Sequence, residues 1–351
     1  MADEQHNRSR LSVVMPNYNH GRFIGAALGA VLAQTRPADE IIVIDDASED
    51  DSVDIVARLA AGRDNLTLVR RKRRGGAVSA LNEGLERATG DVVAFPAADD
   101  MLLPDFLAET AAMMERFPDA PFCSACVAMI DAEGGTLGTR PVLRPMRASG
   151  YARAAEASAM LGRGDNFFLG HVTLYRRARV VELGGFDASL GAATDAMLQR
   201  RLAVRWGFAF IPKVLGCWRM HGANYSVGSV GAPDSLDRLI EACQRVISAE
   251  PPGLFPQGYG ELFERRMRFF AARQALVQHG GGASADELAT ILRLARATPL
   301  DRLALQMFRY LGSASVALSL GWLAMRLRPL ALTWLGSEYL HRAFARGPHS
   351  A

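Results

Sequence analysis

Gly90-Asp91-Val92-Val93-Ala94-Phe95-Pro96-Ala97-Ala98-Asp99-Asp100-Met101-Leu102-Leu103-Pro104 decides how the rest of this chain is read. A short apolar strand, Val92 to Phe95, runs into two adjacent carboxylates. Pro104 then suits the start of a helix, with Asp105 in its first turn, where negative charge complements the helix dipole. Paired Asp at the end of a strand places hard oxygen donors at the carboxyl edge of a sheet, which is where open α/β sheets bind ligands. Such donors suit Mg²⁺ or Mn²⁺ carrying a phosphate. An Asp-Asp turn ahead of a helix would look the same, so the remainder of the chain has to decide.

Working outward, the pattern before this stretch is regular. Leu11 to Met15 reads as a strand stopped by Pro16-Asn17-Tyr18-Asn19, and a helix follows from about Arg22 to Gln34. Ile41 to Ile44 is a continuous apolar run of the kind buried on both faces of a parallel sheet, and it ends in Asp45-Asp46-Ala47-Ser48-Glu49-Asp50-Asp51. A helix over Ser52 to Ala61, a strand over Leu66 to Val69, the basic run Arg70 to Arg74 and a helix over Ala77 to Ala88 lead back to Val92. Four strand–helix alternations predict an α/β fold with a doubly wound, mainly parallel sheet. No G-x-G-x-x-G opens the first helix and no G-x-x-x-x-G-K-[ST] occurs, which argues against a dinucleotide-binding dehydrogenase and a P-loop NTPase.

Beyond Pro121 the pattern turns to mixed α+β. Phe122 to Ile130, Val172 to Tyr175, Phe208 to Ile211 and Val214 to Trp218 read as strands, Arg177 to Leu183 and Ala193 to Trp206 as helices, and Pro141 to Arg153 as a loop. After Gly231 the chain becomes mostly helical, over Leu236 to Ile247, Tyr259 to Gln278, Ala285 to Ala297 and Leu300 to Leu311, with a flexible break at His279 to Gly282. The expected organisation is a flexible N-terminus over 1–10, a catalytic domain over 11–230 with halves 11–120 and 121–230, and a helical region over 231–351.

Composition bounds the function. The chain has 351 residues, 49% of them hydrophobic, enough for a sizeable core. A net charge of +3 is too mild to argue for nucleic acid. It suits an acidic ligand or an anionic membrane surface without demanding either. Cys123 and Cys126 form a C-x-x-C with no second pair at zinc spacing, and they read as small residues of a buried strand. Met1 to Arg10 is polar, so no signal peptide and a cytoplasmic location are expected. Leu311 to Met325 is apolar but shorter than the roughly 20 residues a membrane span needs. With Arg326, Arg328, Arg342 and Arg346 around Leu330, Leu332, Trp334, Leu335 and Tyr339, residues 311–346 read either as peripheral, at the inner membrane face, or as helix packed on the protein.

Seven ordered motifs carry a resemblance. They are Pro16-Asn17-Tyr18-Asn19, Asp45 to Asp50, Gly76 to Gly84 with Asn82, Ala98-Asp99-Asp100, Gly184-Gly185-Phe186-Asp187, Thr194-Asp195, and Arg219 to Ser226. From Leu11 to about Ser226 the chain resembles the family 2 glycosyltransferases of GT-A fold. The resemblance implies an inverting enzyme that moves a sugar from a nucleotide-diphosphate donor, a UDP-sugar first, to an acceptor hydroxyl in cell-surface glycan synthesis. The acceptor would be a glycan or a lipid-linked molecule, and the cofactor Mn²⁺ or Mg²⁺. It further implies that Tyr18 stacks on the base beside Pro16 and Asn19. Asp45 and Asp46 would accept from base and ribose, and Arg74 would reach the base or diphosphate, the other arginines of that run being a solvated face. Asn82, Gly170 and Arg219 would complete the donor site, with Gly170 letting backbone approach the sugar. Asp99 would hold ribose or a metal-bound water, Asp100 and His221 the metal, and Asp195 would be the general base. Two departures stand out: Ala97 or Ala98 sits where many relatives carry another Asp, and Thr194 replaces a Glu. They keep open a second reading, a catalytically weak nucleotide-sugar-binding partner, and a polyprenyl phosphate acceptor is a third.

Overall fold

The computed structural model of the chain describes residues 8–139, 144–165, 167–221, 232–279, 284–310 and 315–327. Its contacts divide it into two units, residues 1–158 with 166–222 and residues 159–165 with 223–351.

The first unit is built on one mixed sheet. In chain order its elements are β1 (Leu11–Asn17), α1 (Gly21–Leu32), β2 (Glu40–Asp45), α2 (Ser52–Ala60), β3 (Leu66–Arg70), α3 (Ala77–Arg87), β4 (Val92–Ala94), β5 (Met101–Leu102), α4 (Phe106–Arg116), β6 (Phe122–Ile130), β7 (Thr136–Thr139) and β8 (Gly150–Ala152). Then come α5 (Ala154–Arg163), whose end groups with the second unit, β9 (Thr173–Arg176), α6 (Arg177–Glu182), α7 (Thr194–Trp206) and β10 (Phe208–Arg219). The strand order is β3-β2-β1-β4-β9-β6-β10-β5, with β7 on β6 and β8 on β10. The first four strands are parallel, as the apolar runs predict. Ile41 to Ile44 of β2 are all buried, each worth roughly 1.5–3 kcal/mol of burial.

The expectation of a doubly wound parallel sheet is corrected at β9. This strand lies antiparallel between β4 and β6, which makes the sheet mixed and returns its own start, Thr173, to the carboxyl edge of β4. β6 and β10 then run parallel to each other. Nearly every element's loop toward the chemistry therefore opens at one edge. The two strands expected at 208–211 and 214–218 are one strand, with register shifts after Ile211 and Val214. Pro212 lies in that interruption, where its missing N–H breaks the ladder without ending the strand. Pro104 does not start a helix. Met101 and Leu102 pair antiparallel with Cys217 and Gly216, and α4 begins at Phe106 after Asp105. Burial of Leu102 and Phe106 explains the shift: both contribute to the core with Leu11, Ile24, Leu28 and Leu174. Residues 150–152, expected in a loop, pair with Phe208 to Phe210 instead. Cys123 and Cys126 are buried in β6, and burial raises the Cys123 thiol far above its ordinary range.

The second unit is helical: α8 (Pro233–Ala249), α9 (Tyr259–His279), α10 (Ala285–Leu294), α11 (Pro299–Phe308) and α12 (Ser315–Leu327). α10 and α11 begin with capping boxes, Ser284 with Glu287 and Thr298 with Asp301. Asp165 accepts from Tyr259 Oη at 2.7 Å and pairs with Arg266 at 3.3 Å, all three buried. Among the described residues no helix is long and apolar enough to cross a membrane. Of residues 311–346, only 315–327 lie among the described residues, and of the expected break at 279–282 only His279, which ends α9.

Candidate functional site

Three groups of side chains collect at the carboxyl edge of the first unit's sheet. The first stitches the loops after β1 and β2. Pro16 is the penultimate residue of β1, in register with Ile44. Asn17 Nδ2 donates to Asp45 Oδ1 at 2.8 Å and lies 2.9 Å from Ser52 Oγ. Asn19 takes a left-handed φ of 54°, and its Oδ1 accepts from the Glu49 N–H at 2.8 Å. Asp45 Oδ2 accepts from the Ser48 N–H at 3.1 Å. Asp46 holds the β3–α3 turn: its carboxylate accepts from the N–H groups of Gly75 and Gly76, each at 2.7 Å, and from Arg71 Nη1 at 3.0 Å. Gly76, at φ 88°, suits that turn because a Cβ would be strained there. The carboxylates of Asp45 and Asp46, expected to face base and ribose, are buried and already face protein donors. What this group presents outward is Tyr18, with the Arg74 guanidinium 4.0 Å above its ring.

The second group follows β4. Asp100 is buried; its Oδ1 accepts from the Arg219 N–H at 2.8 Å, and its Oδ2 lies 3.6 Å from His171 Nδ1. Asp99 Oδ2 lies 2.9 Å from His221 Nε2. Arg219 is drawn inward: Nε donates to the Asp99 carbonyl at 2.8 Å and Nη1 to the carbonyls of Asp131 and Ala132 at 3.1 and 3.0 Å. Phe23 supports both, its ring stacked on His221 at 4.9 Å with the Arg219 guanidinium 5.1 Å away. Burial first, and the charge of Asp99 second, push the Asp100 carboxyl well above the ordinary range.

The third group surrounds Asp195, in the first turn of α7. Its Oδ1 accepts from the Ala196 N–H at 2.6 Å, and the Gly170 N–H also bonds to the carboxylate. Asp195 keeps some surface exposure, yet loss of water around its carboxyl raises its pKa, against the lowering effects of those N–H groups and of Arg200. Asn82 clasps the loop ahead of α7: Nδ2 donates to the Phe186 carbonyl at 2.8 Å and Oδ1 accepts from the Phe186 N–H at 2.9 Å. Asn82 was expected on the donor; both ends of its amide are spent on Phe186, so it positions the Gly184-Gly185 loop.

Residues 12–181 match the sequence model described as glycosyl transferase family 2. Over these residues the chain is similar to the family 2 glycosyltransferases. The chain is 38% identical over 95 residues to an uncharacterized glycosyltransferase of Nostoc sp., 27% of this chain and 30% of that protein. It is 36% identical over 107 residues to a putative teichuronic acid biosynthesis glycosyltransferase, TuaG, of Bacillus subtilis, 30% of this chain and 42% of that one. The matched stretch thus spans less than half of either relative. Residues 1–349 of S. aureus TarS, crystallised with UDP-GlcNAc, superpose with a TM-score of 0.59 at 16% identity, over 89% of this chain and 88% of that one. The mannosyltransferase PcManGT of Pyrobaculum calidifontis, in complex with GDP-Man and Mn²⁺, gives 0.53 at 22% identity over 97% and 88%. The fold is GT-A.

The donors at this edge fit a metal ion only in part. Among the described residues no cluster of three or more His, Cys, Asp or Glu is arranged to hold an ion. The donors instead form two pairs, Asp99 with His221 and Asp100 with His171, whereas His221 was expected to share an ion with Asp100. The buried Asp100 beside Asp99 still concentrates negative charge that a divalent cation would relieve. A Mg²⁺-type ion commonly takes only one or two carboxylates and completes its shell with phosphate and water, so the residues fit an ion that arrives with its diphosphate. Sequence reasoning missed Arg71 and His171. The signal for His171 was its place directly after Gly170; for Arg71 there was none within a run of five basic residues.

Proposed function

We propose that the chain transfers a sugar, with inversion, from a nucleotide-diphosphate donor to an acceptor hydroxyl, in the synthesis of cell-surface glycans. The observation that carries this reading is the short path between the two halves of the chemistry. Gly170 bonds to the Asp195 carboxylate through its N–H, and the next residue, His171, faces Asp100. A carboxylate and a phosphate-handling acid pair are thereby held by adjacent residues.

In this reading Tyr18 and Arg74 receive the base, Tyr18 by stacking and Arg74 by donating to carbonyl oxygens. Uracil is the first base to test, because TarS was crystallised with UDP-GlcNAc. Asp45, Asp46, Asn17 and Asn19 keep the two loops in shape for it. Asp100 and Asp99, with His221, would hold the divalent cation, which supplies charge neutralisation of the diphosphate leaving group. Asp195 takes the proton of the acceptor hydroxyl as that oxygen bonds to the anomeric carbon. The bond from that carbon to the diphosphate oxygen breaks, and the nucleoside diphosphate leaves with the electron pair. A positioned base contributes about 10²–10⁴-fold to such a step. Its pKa, raised by burial, makes it a stronger proton acceptor than an exposed Asp.

The test is release of nucleoside diphosphate from a panel of UDP- and GDP-sugars with Mn²⁺ or Mg²⁺, with and without acceptor hydroxyl compounds, and NMR of the product anomer. Inverted product from a β- or α-linked donor supports the reading. Donor binding without any release under all conditions replaces it with the binding-partner reading, to which Thr194 and Ala97 point. Retention of configuration removes Asp195 as the base of a single displacement.

A further inference from the structure

The second unit carries an exposed apolar surface to which the proposed transfer assigns no residue. On and just after α11, Leu300, Leu303, Met307 and Tyr310 are 62%, 56%, 61% and 80% exposed. Their spacing of three, four and three residues puts them on one stripe. The helix is firmly placed, so the exposure is not that of a loose segment. Its opposite face buries Ala304 and Leu305. Its one carboxylate, Asp301, is buried, caps the helix through Thr298, accepts from Trp322 Nε1 at 2.8 Å and pairs with Arg326 at 2.9 Å. The exposed residues of 299–310 therefore include no acid.

Two cations of the same segment, Arg302 and Arg309, lie beside the stripe. Arg302 and Arg309 have no carboxylate partner among the described residues, and the Arg309 guanidinium lies 5.5 Å from the Tyr310 ring centroid. Both line a groove of about 710 Å³ that also receives Asp237, and Arg293 and Arg296, which pair with Asp234 and Glu264. Leucine and methionine in a row, a tyrosine at the end and unpaired arginines beside them form an interfacial pattern: apolar side chains enter the acyl boundary while cations meet anionic headgroups.

We propose that α11 with Tyr310 docks this protein on an anionic membrane surface. The contact lies ahead of residues 311–346, where sequence reading put it. α12 adds Leu318 and Met325, also exposed. The occupant is the lipid surface rather than a protein groove, because the stripe is convex helix flanked by cations and holds no polar partner of its own.

The test is flotation of the full chain with vesicles of equal parts phosphatidylglycerol and phosphatidylcholine, beside vesicles of phosphatidylcholine alone. Expected is co-flotation with the anionic vesicles, weakened by salt. Each arginine near an anionic leaflet contributes roughly fivefold in binding, so Arg302→Glu with Arg309→Glu should weaken it by tenfold or more. Leu303→Glu with Met307→Glu should do the same, with circular dichroism, melting temperature and nucleotide binding unchanged because all four side chains lie on the outside of the helix. Absence of flotation overturns the proposal, as does equal flotation of the charged variants. If light scattering shows a dimer that Leu303→Glu with Met307→Glu dissociates, and no vesicle binding, the stripe is an interface between copies and the proposal fails. None of these outcomes depends on whether sugar is transferred.

Discussion

A Cβ built on Gly170 would lie 2.2 Å from Oδ2 of Asp195. No side chain other than hydrogen fits between the turn before β9 and the carboxylate at the head of α7. The glycine is therefore what allows backbone N–H to reach the acid, and it holds the acid against the turn that carries His171.

Gly170→Ala should accordingly damage transfer while sparing donor binding. Displacing a reacting group by about an ångström costs on the order of 10²-fold, and that is the expected fall in kcat. Nucleotide affinity, followed by thermal shift, should stay within about threefold of the parent, since Tyr18 and Arg74 lie elsewhere on the edge. Unchanged kcat would remove the Gly170 contact from the chemistry.

Asp195 has a folded pKa raised by burial and moderated by Arg200. The base form disappears as pH falls through that raised value, so the acid limb of kcat/KM should lie above the ordinary carboxylate range near 4. Arg200→Gln removes a charge that favours the carboxylate, which should move the limb to still higher pH. Asp195→Asn should lower transfer by about 10²–10⁴-fold on the pH plateau above that limb and remove the limb itself. An acid limb at the ordinary value in the parent protein would contradict the assignment.

Asn82→Ala leaves the Phe186 N–H and carbonyl without their partners at 2.9 and 2.8 Å. Such orphaned groups cost about 1–3 kcal/mol. Urea unfolding should show a loss of that size, with KM for donor changed less than kcat because the loop leads to α7. A loss confined to donor KM would return Asn82 to the donor site.

Asp46→Asn sets an amide among three donors, those of Gly75, Gly76 and Arg71. The β3–α3 turn should loosen, and nucleotide binding should weaken about tenfold, measured by titration calorimetry. Arg71→Met should reproduce much of the effect. Arg74→Ala should weaken nucleotide binding without lowering the melting temperature, because Arg74 contacts the Tyr18 ring from outside.

Asp100→Ala should abolish any Mn²⁺-dependent gain in affinity for UDP while leaving metal-free UDP binding intact. Identical Mn²⁺ dependence in the variant would exclude Asp100 as a holder of the ion.

Hydrophobic patterning and strand-end chemistry determined a good deal without coordinates. The run Ile41 to Ile44, the four early alternations and the acids that terminate β2 and β4 made the first half of the sheet legible, because each is a local signal that one element's burial or one strand end imposes. Asp99 and Asp100 stood out for the same reason, as polar groups placed where an apolar run stops, whereas Asp195 and His221 were picked out by the resemblance of their motifs to family 2 glycosyltransferases.

Only the tertiary structure decided which partner each took. The antiparallel insertion of β9 between β4 and β6 depends on pairing between residues some eighty apart, such as Ala94 with Leu174, and no local periodicity encodes that. It is this insertion that carries His171 to Asp100 and Gly170 to Asp195. The same holds for Asp46 with Arg71, for Asn82 with Phe186, and for His221 meeting Asp99 rather than Asp100. Sequence fixes which groups must find partners once water is excluded, whereas the choice among chemically equivalent partners is made by long-range packing.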